Sequence, residues 1–401
     1  MQDLWWFLPE WPLALGQFVL FGALLIAGLF GGEIAQRVGL PRITGYVLVG
    51  VAAGPEVLGL VRAPLAGEGR ALIDVALGLV VFELGHRLDF EWLKKNPWLA
   101  LAAVGESAGA FFAIYAAMLY FGYAPLLASC AAAVGTATSP AVVMLIAHEL
   151  RASGQITERT ILFTACNSVF AFVALMLLLP FLHLEHEADA RTALLHPLYL
   201  LGGALLLGFV ACQVMLVLAG WLGKREDRQF ILLIALVVLV VGLARALSLP
   251  VVVAMLAFGI LARNLDYDHA LLPLRLGYAG QLLFVLLFVL TGASLAFYGL
   301  QAAWLVVVIY VLVRFLGKAI AILAFGRLSG LRAGGAGLVA VALVPMSGVA
   351  IIMVHDTEAL FPGFGAELAA VVLSAVALLE LIGPLATQFA LRRAGEAHPE
   401  T

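Results

Sequence analysis

The sequence predicts an all-α integral membrane protein of about 13 transmembrane helices, arranged as an inverted-topology repeat with two crossing broken helices. Three observations predict this fold class: a very apolar composition, long hydrophobic segments, and two polar breaks at corresponding places in the two halves. Apolar residues make up 64% of the 401 positions and charged residues 12%, about half the charged share of a soluble domain. The apolar stretches are long enough for membrane-spanning helices rather than barrel strands.

The hydrophobic segments place the predicted spans in order along a single transmembrane domain, residues 1–401. The second and ninth spans are short for a crossing of roughly 20 residues. We therefore expect them to be tilted, extended at their ends or packed within the bundle. The 13 spans cover residues 13–30, 41–53, 71–88, 98–121, 124–148, 160–182, 194–222, 229–247, 250–263, 278–298, 302–326, 334–354 and 366–390.

Basic residues in the loops set the direction of these spans. With the N-terminus outside, the inner loops hold sixteen Lys and Arg residues, whereas the outer loops hold only Arg62, Arg70, Arg191 and Arg245. Cytoplasmic loops carry such an excess of positive charge, so the C-terminus is predicted to be cytoplasmic. The N-terminus lacks the basic region of a cleaved signal, and no transit peptide is visible. A bacterial plasma membrane is the expected location.

The two halves of the chain echo one another. Leu40-Pro41 opens the second span as Leu249-Pro250 opens the ninth, and Gly50 has its counterpart in Gly259. Span n thus pairs with span n+7, and because seven is odd the paired helices point in opposite directions. This pattern predicts an inverted-topology repeat, with the seventh span, residues 194–222, as the connector helix.

Short polar breaks interrupt the fifth and twelfth spans, at Thr136–Pro140 and Pro345–Gly348. Pro140 and Pro345 remove backbone donors, and Gly348 is the last residue of the second break. In lipid, freed backbone groups are tolerated only where protein or a water-filled cavity satisfies them. Paired breaks of this kind indicate the binding site of a secondary transporter. The hydroxyls predicted to coordinate a cation, or to satisfy the freed backbone, belong to Thr136, Thr138, Ser139 and Ser347.

Charged residues inside predicted spans are costly, so they are usually paired or functional. Arg314 and Lys318 lie one helical turn apart in the eleventh span, and Glu106 lies in the fourth. The fourth and eleventh spans are repeat mates, so we expect Glu106 to face Arg314 or Lys318. Glu83 and His86, near the end of the third span, are expected to reach the membrane interface.

The remaining polar residues favour no cofactor and no metal site. Asn167-Ser168 in the sixth span is a further candidate for ion binding, because an Asn carbonyl can ligate a cation. The cysteines lack pairing or metal spacing, and the histidine-containing segment 183–197 is expected to be a solvated loop. No nucleophile–base pair or phosphate loop predicts an enzyme, and the net charge of -3 suggests no nucleic-acid partner.

Six motifs that occur in order along the chain resemble those of one membrane-protein family. They are Gly39–Tyr46 with Gly50 and Gly54-Pro55, Phe82–Asp89, Ala137–Val143, Arg314–Lys318, Val344–Ala350 and Glu380–Pro384. On these motifs the sequence resembles the monovalent cation/proton antiporter superfamily, the transporters with a sodium/hydrogen-exchanger domain. In that family they belong to the second helix, the third, the unwound fifth, the eleventh, the unwound twelfth and the last.

The resemblance implies a homodimer that exchanges a monovalent cation, Na⁺ or K⁺, for protons across the lipid bilayer. It implies a scaffold and dimerisation bundle of residues 1–97 and 229–301, and a core ion-transport bundle of residues 98–182 and 302–391. The core would carry a midplane site past the scaffold by an elevator-like movement. Cation and proton would compete for this site.

One departure from the family's pattern concerns the sixth helix. Many members place Asp-Asp or Asn-Asp there, whereas the matching pair here is Asn167-Ser168. No carboxylate remains in that span, so Glu106 is the first candidate for the proton carrier and Lys318 the second. Arg314 stays charged and serves only as a fixed counter-charge.

Two other functions stay open at this stage. A transporter of the same fold for an anion or a neutral solute fits the loss of the acidic residue, since Arg314 and Lys318 then make the core positive. A transport-silent membrane sensor fits the missing aspartate as well. Exchange assays with different ions distinguish these functions.

Overall fold

The computed structural model describes residues 17–61, 67–185, 189–266, 271, 277–295, 298–346 and 348–398. These residues form helices, with no β-strand among them. The bounds are α1 (Gln17–Arg37), α2 (Arg42–Ala53), α3 (Gly67–His86), α4 (Phe90–Lys95), α5 (Pro97–Tyr120), α6 (Pro125–Thr136), α7 (Pro140–Glu149), α8 (Gln155–Glu185), α9 (Ala190–Leu222), α10 (Glu226–Ala246), α11 (Val251–Asn264), α12 (Gly277–Ala293), α13 (Tyr298–Gly326), α14 (Ala333–Ala342), α15 (Gly348–Leu360) and α16 (Pro362–Arg393).

The all-helical membrane fold class is confirmed. Within the described ranges, eight helical segments are long and apolar enough to cross a membrane, and four further apolar helices have 10–17 residues. Every predicted span coincides with a helix or a pair of half-helices, and the second and ninth spans are short as expected. The count of 13 crossings stays a prediction.

Two local expectations need correction. The segment 183–197 is not mainly a loop, because α8 continues to Glu185 and α9 begins at Ala190. The sequence pattern also missed α4, a short amphipathic helix between the third and fourth spans. Its N-terminus is capped by the Asp89 carboxylate, which accepts from the amides of Glu91 and Trp92. An N-cap of this kind contributes about 1 kcal/mol to helix stability.

The predicted helix breaks are present. The fifth span divides into α6 and α7, which are separated by residues 137–139, and the twelfth divides into α14 and α15, separated by residues 343–347. Both half-helix pairs pack beside α8 and α16, and α13 packs along α5 at the side of the same group. The other helices form pairs around α2 with α12 and α3 with α11. The breaks thus lie at the centre of one helical group.

Glycines allow the closest helix contacts, and they occur at repeat-related positions. Gly50 of α2 meets the α12 backbone at Gly292, and Gly85 of α3 meets the α11 backbone at Gly259. On α5 and α13 the contact is reciprocal: a Cβ on Gly109 would lie 2.6 Å from the Gly317 carbonyl oxygen, and one on Gly317 would lie 2.5 Å from that of Gly109. The predicted inverted repeat would produce contacts of this kind, and the repeat itself stays a prediction.

The Gly109–Gly317 crossing gives a stability test. Gly317→Ala places a methyl group against backbone that is unable to move aside, so we expect the thermal unfolding midpoint in detergent to fall. Gly242→Ala is the matched control: no described heavy atom lies within 4 Å of its Cβ position, and alanine favours a helix by about 1 kcal/mol over glycine. The control midpoint is expected to stay or rise. Equal effects of the two substitutions would contradict the close approach.

Candidate functional site

The two breaks touch through their backbones. The Ser139 amide of the first break donates to the Pro345 carbonyl of the second at 3.0 Å. The Ser139 hydroxyl caps α7 by accepting from the Val142 amide at 3.3 Å. On the opposite side of Pro345, Gly383 of α16 leaves room where a Cβ would lie 2.7 Å from the proline Cα. The crossing of the half-helices is therefore direct, with no apolar side chain between them.

Arg314 of α13 binds the carbonyl ends of both broken helices. Its Nε donates to the Gly135 carbonyl at 2.7 Å, and one terminal nitrogen donates to that of Ala137 at 2.7 Å. The other donates to the Val344 carbonyl at 2.8 Å. The side chain is only 1% exposed. A helix ends with carbonyls that lack intrahelical partners, and one planar guanidinium satisfies them on both half-helices.

Three hydroxyl groups contact further carbonyls near the ends of α6 and α14. The Tyr310 hydroxyl, one turn before Arg314, donates to the Ala131 carbonyl at 2.8 Å. The Thr387 hydroxyl of α16 donates to the Ala342 carbonyl at 3.0 Å. The Thr138 hydroxyl lies 3.4 Å from the Leu343 carbonyl. The ends of α6 and α14 are thus satisfied by protein groups at a depth where water is excluded.

Lys318, one turn after Arg314, makes the central ion pair. Its ammonium donates to Glu106 Oε1 of α5 at 2.7 Å and to the Thr136 carbonyl at 2.9 Å. It also lies 3.2 Å from the Thr138 hydroxyl. Glu106 and Lys318 are 0% and 1% exposed. The expectation that Glu106 faces Lys318 is confirmed by this contact.

Asn167 of α8 links the acidic group to the break. Its Nδ2 donates to Glu106 Oε1 at 3.0 Å and to the Thr138 hydroxyl at 2.9 Å. Its Oδ1 accepts from the Ser107 hydroxyl at 2.7 Å. Because an ionised carboxylate can only accept, the contact with Glu106 sets which side of the amide carries the nitrogen. We call Glu106, Ser107, Thr136, Thr138, Asn167 and Lys318 the central pocket.

Three charged side chains lie in and around the central pocket. Arg314 and Lys318 contribute two positive charges and Glu106 one negative charge. Each half-helix C-terminus at the breaks, of α6 and α14, carries about half a negative charge, whereas each N-terminus, of α7 and α15, carries about half a positive charge. Arg314 and Lys318 contact the carbonyl ends, so these ends offset part of their positive charge locally. Glu380 of α16 is a further fully buried carboxylate, one turn before Gly383.

The predicted site residues divide into two groups. Glu106, Lys318, Thr138 and Asn167 meet in the central pocket, and Arg314 lies beside it. The hydroxyls of Thr136 and Ser168 instead donate to carbonyls of their own helices, Thr136 to Ala133 at 2.7 Å and Ser168 to Thr164 at 3.0 Å. Thr136 joins the pocket through its carbonyl. Ser139 acts as the helix cap described above, and Ser347 lies outside the described residues.

The sequence did not lead us to predict Ser107 as part of the site, and it predicted too small a role for Arg314. Ser107 directly follows Glu106 in an apolar helix, and this neighbouring polar pair was the available signal. Arg314 was expected to be a counter-charge, but its main contacts are the carbonyls at the two breaks. No pattern in the sequence indicates which carbonyls a distant arginine reaches. Glu83 was also misplaced: it is 4% exposed and pairs with other side chains.

The fold and the central pocket define a multi-pass membrane protein of the secondary-transporter class. The chain belongs to the sodium/hydrogen exchanger family, whose transmembrane model matches residues 21–393. Members of this family are transporters. The predicted family is thereby confirmed.

Individual relatives agree with this assignment. The chain is 29% identical over 160 residues to a probable Na⁺/H⁺ antiporter, GerT, of Bacillus cereus, and the match spans 39% of this chain and 41% of that protein. Two solved structures of the sodium proton antiporter MjNhaP1 from Methanocaldococcus jannaschii share the fold. One has a TM-score of 0.62 at 16% identity, covering 94% of this chain and 95% of that chain. The other has a TM-score of 0.69 at 14% identity, covering 96% and 99%.

The buried ion pair gives a test of the pocket. Removing one partner leaves an uncompensated charge and typically costs about 3–5 kcal/mol, whereas replacing both can be nearly neutral. We expect Glu106→Gln and Lys318→Met to lower the thermal unfolding midpoint individually. The double variant should regain at least half of the fall in unfolding midpoint shown by the less stable single variant. Additive losses would show that the two side chains do not interact.

Proposed function

We propose that the protein is a monovalent cation/proton antiporter, with the cation bound at the position that the Lys318 ammonium occupies in this conformation. The observation that carries the proposal is the set of oxygens around Lys318 Nζ. Glu106 Oε1, the Thr136 carbonyl and the Thr138 hydroxyl surround it at 2.7, 2.9 and 3.2 Å. One carboxylate, one carbonyl and one hydroxyl are oxygen ligands that suit Na⁺ or K⁺, so the ammonium acts as a stand-in for the ion.

Charge balance supplies the coupling between cation and proton. A cation that enters while Glu106 is ionised and Lys318 is protonated adds one uncompensated charge to a water-excluded pocket, which is very unfavourable. Loss of the Lys318 proton restores the balance and leaves Glu106 to ligate the ion. When the cation leaves, a proton returns to Lys318 and the ion pair forms again. In this scheme Lys318 carries the proton and Glu106 provides the shared negative charge.

The contacts of the two basic side chains disfavour the anion-transport alternative. Arg314 and Lys318 already donate to Glu106 and to carbonyls at the breaks. The N-terminus of α7, where an anion would be attracted, is capped by the Ser139 hydroxyl. A cation therefore suits the pocket better than an anion.

The proposal includes the finer features that the family resemblance implies. The core bundle, residues 98–182 and 302–391, moves past a scaffold of residues 1–97 and 229–301, with residues 194–222 as the connector. Two copies associate through their scaffolds. The N-terminus lies outside and the C-terminus in the cytoplasm of a bacterial plasma membrane. Large exposed apolar side chains along α1 and α9 suit contact with lipid or with a second copy.

Proteoliposomes that contain a pH-sensitive dye test the exchange directly. Pulses of Na⁺, K⁺ or Li⁺ are expected to change the internal pH in the wild type. Glu106→Gln removes the carboxylate ligand and should reduce this response at least tenfold. The matched control is Ser374→Ala, because the Ser374 hydroxyl donates to the Ala370 carbonyl of its own helix and should leave exchange intact.

Lys318→Gln separates the two steps in the same assay. It should still bind the cation but lose the proton response. A proton response that survives in Lys318→Gln would assign the proton to Glu106 instead. No cation-dependent response in the wild type would reject the proposed function.

The Thr138 hydroxyl gives a second prediction. Thr138→Val keeps the shape of the side chain and removes one oxygen ligand together with its bonds to Asn167 and Lys318. We expect the KM for the cation to rise about tenfold, since a hydrogen bond to a charged group contributes about 1.5–3 kcal/mol. Thr164→Val is the control, because that buried hydroxyl bonds the Thr160 carbonyl within α8. Equal KM values for the two variants would exclude Thr138 from the site.

A further inference from the structure

The chain turns back sharply after α16. Gly395 has a φ of +72°, a left-handed conformation that glycine adopts without a steric penalty. The Gly395 amide donates to the Arg392 carbonyl at 3.1 Å, and the Glu396 amide donates to the Leu391 carbonyl at 3.3 Å. These two bonds form the Schellman motif that ends many helices. We call residues 395–398, which follow this end of α16, the tail segment.

The tail segment pairs with the backbone of the turn between α7 and α8. The Ser153 amide donates to the Glu396 carbonyl at 3.0 Å, and the His398 amide donates to the Leu150 carbonyl at 2.8 Å. The two stretches of chain run in opposite directions, as neighbouring antiparallel strands do. The end of α16 predicted to face the cytoplasm is thus joined to the turn between α7 and α8.

Helix α8 begins without a capping side chain of its own. The Glu158 amide donates to the Gly154 carbonyl at 3.0 Å, so Gly154 is the residue at the N-cap position. Glycine has no side-chain oxygen to accept from the amides of Ile156 and Thr157, the second and third residues of the helix. Thr157 is only 1% exposed. Another part of the protein must therefore satisfy these amides.

The Glu396 carboxylate supplies the missing cap. One of its oxygens accepts from the Ile156 amide at 2.8 Å, and the other accepts from the Thr157 amide and hydroxyl, both at 2.7 Å. A carboxylate at this place is also favoured by the helix macrodipole. The absence of a side chain at Gly154 is required, because a Cβ there would overlap the Glu396 carboxylate carbon.

The tail segment therefore connects three helices that surround the two breaks. Helix α7 begins directly after the first break, at the Ser139 cap, and α8 carries Asn167 of the central pocket. Helix α16 contacts the second break through Gly383 and bonds the end of α14 through Thr387. Helix α16 also packs against α7. Under the proposed function all three helices belong to the moving core.

We propose that the tail segment is a clasp, anchored by Glu396, that holds the inner ends of α7, α8 and α16 together so that they move as one body. Only its role in transport rests on the proposed function. From Ile156 to Asn167 the distance along α8 is about 16 Å at 1.5 Å per residue. Opening the clasp should therefore slow the movement of the core without changing the affinity of the central pocket for a cation.

Amide hydrogen exchange of the full-length protein in detergent tests the clasp directly. Glu396→Gln keeps the length of the side chain but replaces one accepting oxygen by a donor, which cannot bond an amide N–H. Exchange within residues 153–158 should accelerate about fivefold, which corresponds to the loss of about 1 kcal/mol for an N-cap. The matched control is Glu367→Gln, at an exposed glutamate of the same helix. Equal exchange in wild type and Glu396→Gln would overturn the clasp.

Two further comparisons use the same measurement. Deleting residues 396–401 should accelerate exchange within residues 153–158, whereas deleting residues 399–401 should not. Gly154→Ala places a methyl group where the Glu396 carboxylate lies, so adding Glu396→Gln to it should cause no further acceleration. Additive effects of these two substitutions, or equal effects of the two deletions, would contradict the contact.

Transport in proteoliposomes tests the role of the clasp in movement. Deleting residues 396–401 should lower the maximal cation-driven exchange rate at least about twofold and leave the KM for the cation within about twofold of the wild type, as expected when a step other than binding is affected. An unchanged maximal rate, or a change in KM alone, would overturn this role. If the hydrogen-exchange differences appear but the wild type exchanges no cation, the clasp stands and the proposed function fails.

Discussion

The guanidinium of Arg314 is the constraint on which the rest of the site depends. Two helices that stop in mid-membrane leave carbonyls without partners, and in hydrocarbon each would cost several kcal/mol. One side chain from α13 satisfies the ends of α6 and α14 together. The backbones can then approach until Ser139 bonds Pro345 directly. Without the Arg314 guanidinium, water would have to satisfy these carbonyls, or the two half-helix pairs would not cross.

This arrangement also explains how the core tolerates a sixth helix without an acid. The buried carboxylate that α8 contacts comes from α5, as Glu106. Asn167 contacts both Glu106 and Thr138 through its amide, whereas the Ser168 hydroxyl bonds a carbonyl of its own helix. The carbonyl ends of α6 and α14 carry partial negative charge and add to the charge of Glu106 around Arg314 and Lys318. Under the proposed function, the proton is exchanged at Lys318 rather than at an acid of α8.

Burial makes any uncompensated charge in the central pocket expensive, so under the proposed function the gain of a cation and the loss of a proton are linked. Helix α3 contacts the half-helices that follow both breaks. Leu77 lies 3.7 Å from the Gly348 Cβ position, and Glu83, near the C-terminal end of α3, lies 3.0 Å from His148 of α7. One helix outside the pocket thus packs against both broken segments.

Local composition determined much of this protein. Hydropathy located the helices, prolines located both breaks, and the rarity of charges singled out Glu106, Arg314 and Lys318, because burying a charge is costly enough to make each one informative. Distances between remote segments were decided only by the tertiary structure. The sequence did not show that Arg314 binds backbone carbonyls, that the Ser168 hydroxyl stays within its own helix, or that Glu83 is buried beside His148. Such pairings depend on how α5, α8 and α13 are rotated about their axes and how closely they pack. The Gly109–Gly317 contact sets the distance between α5 and α13, and no local sequence pattern predicts which glycines meet.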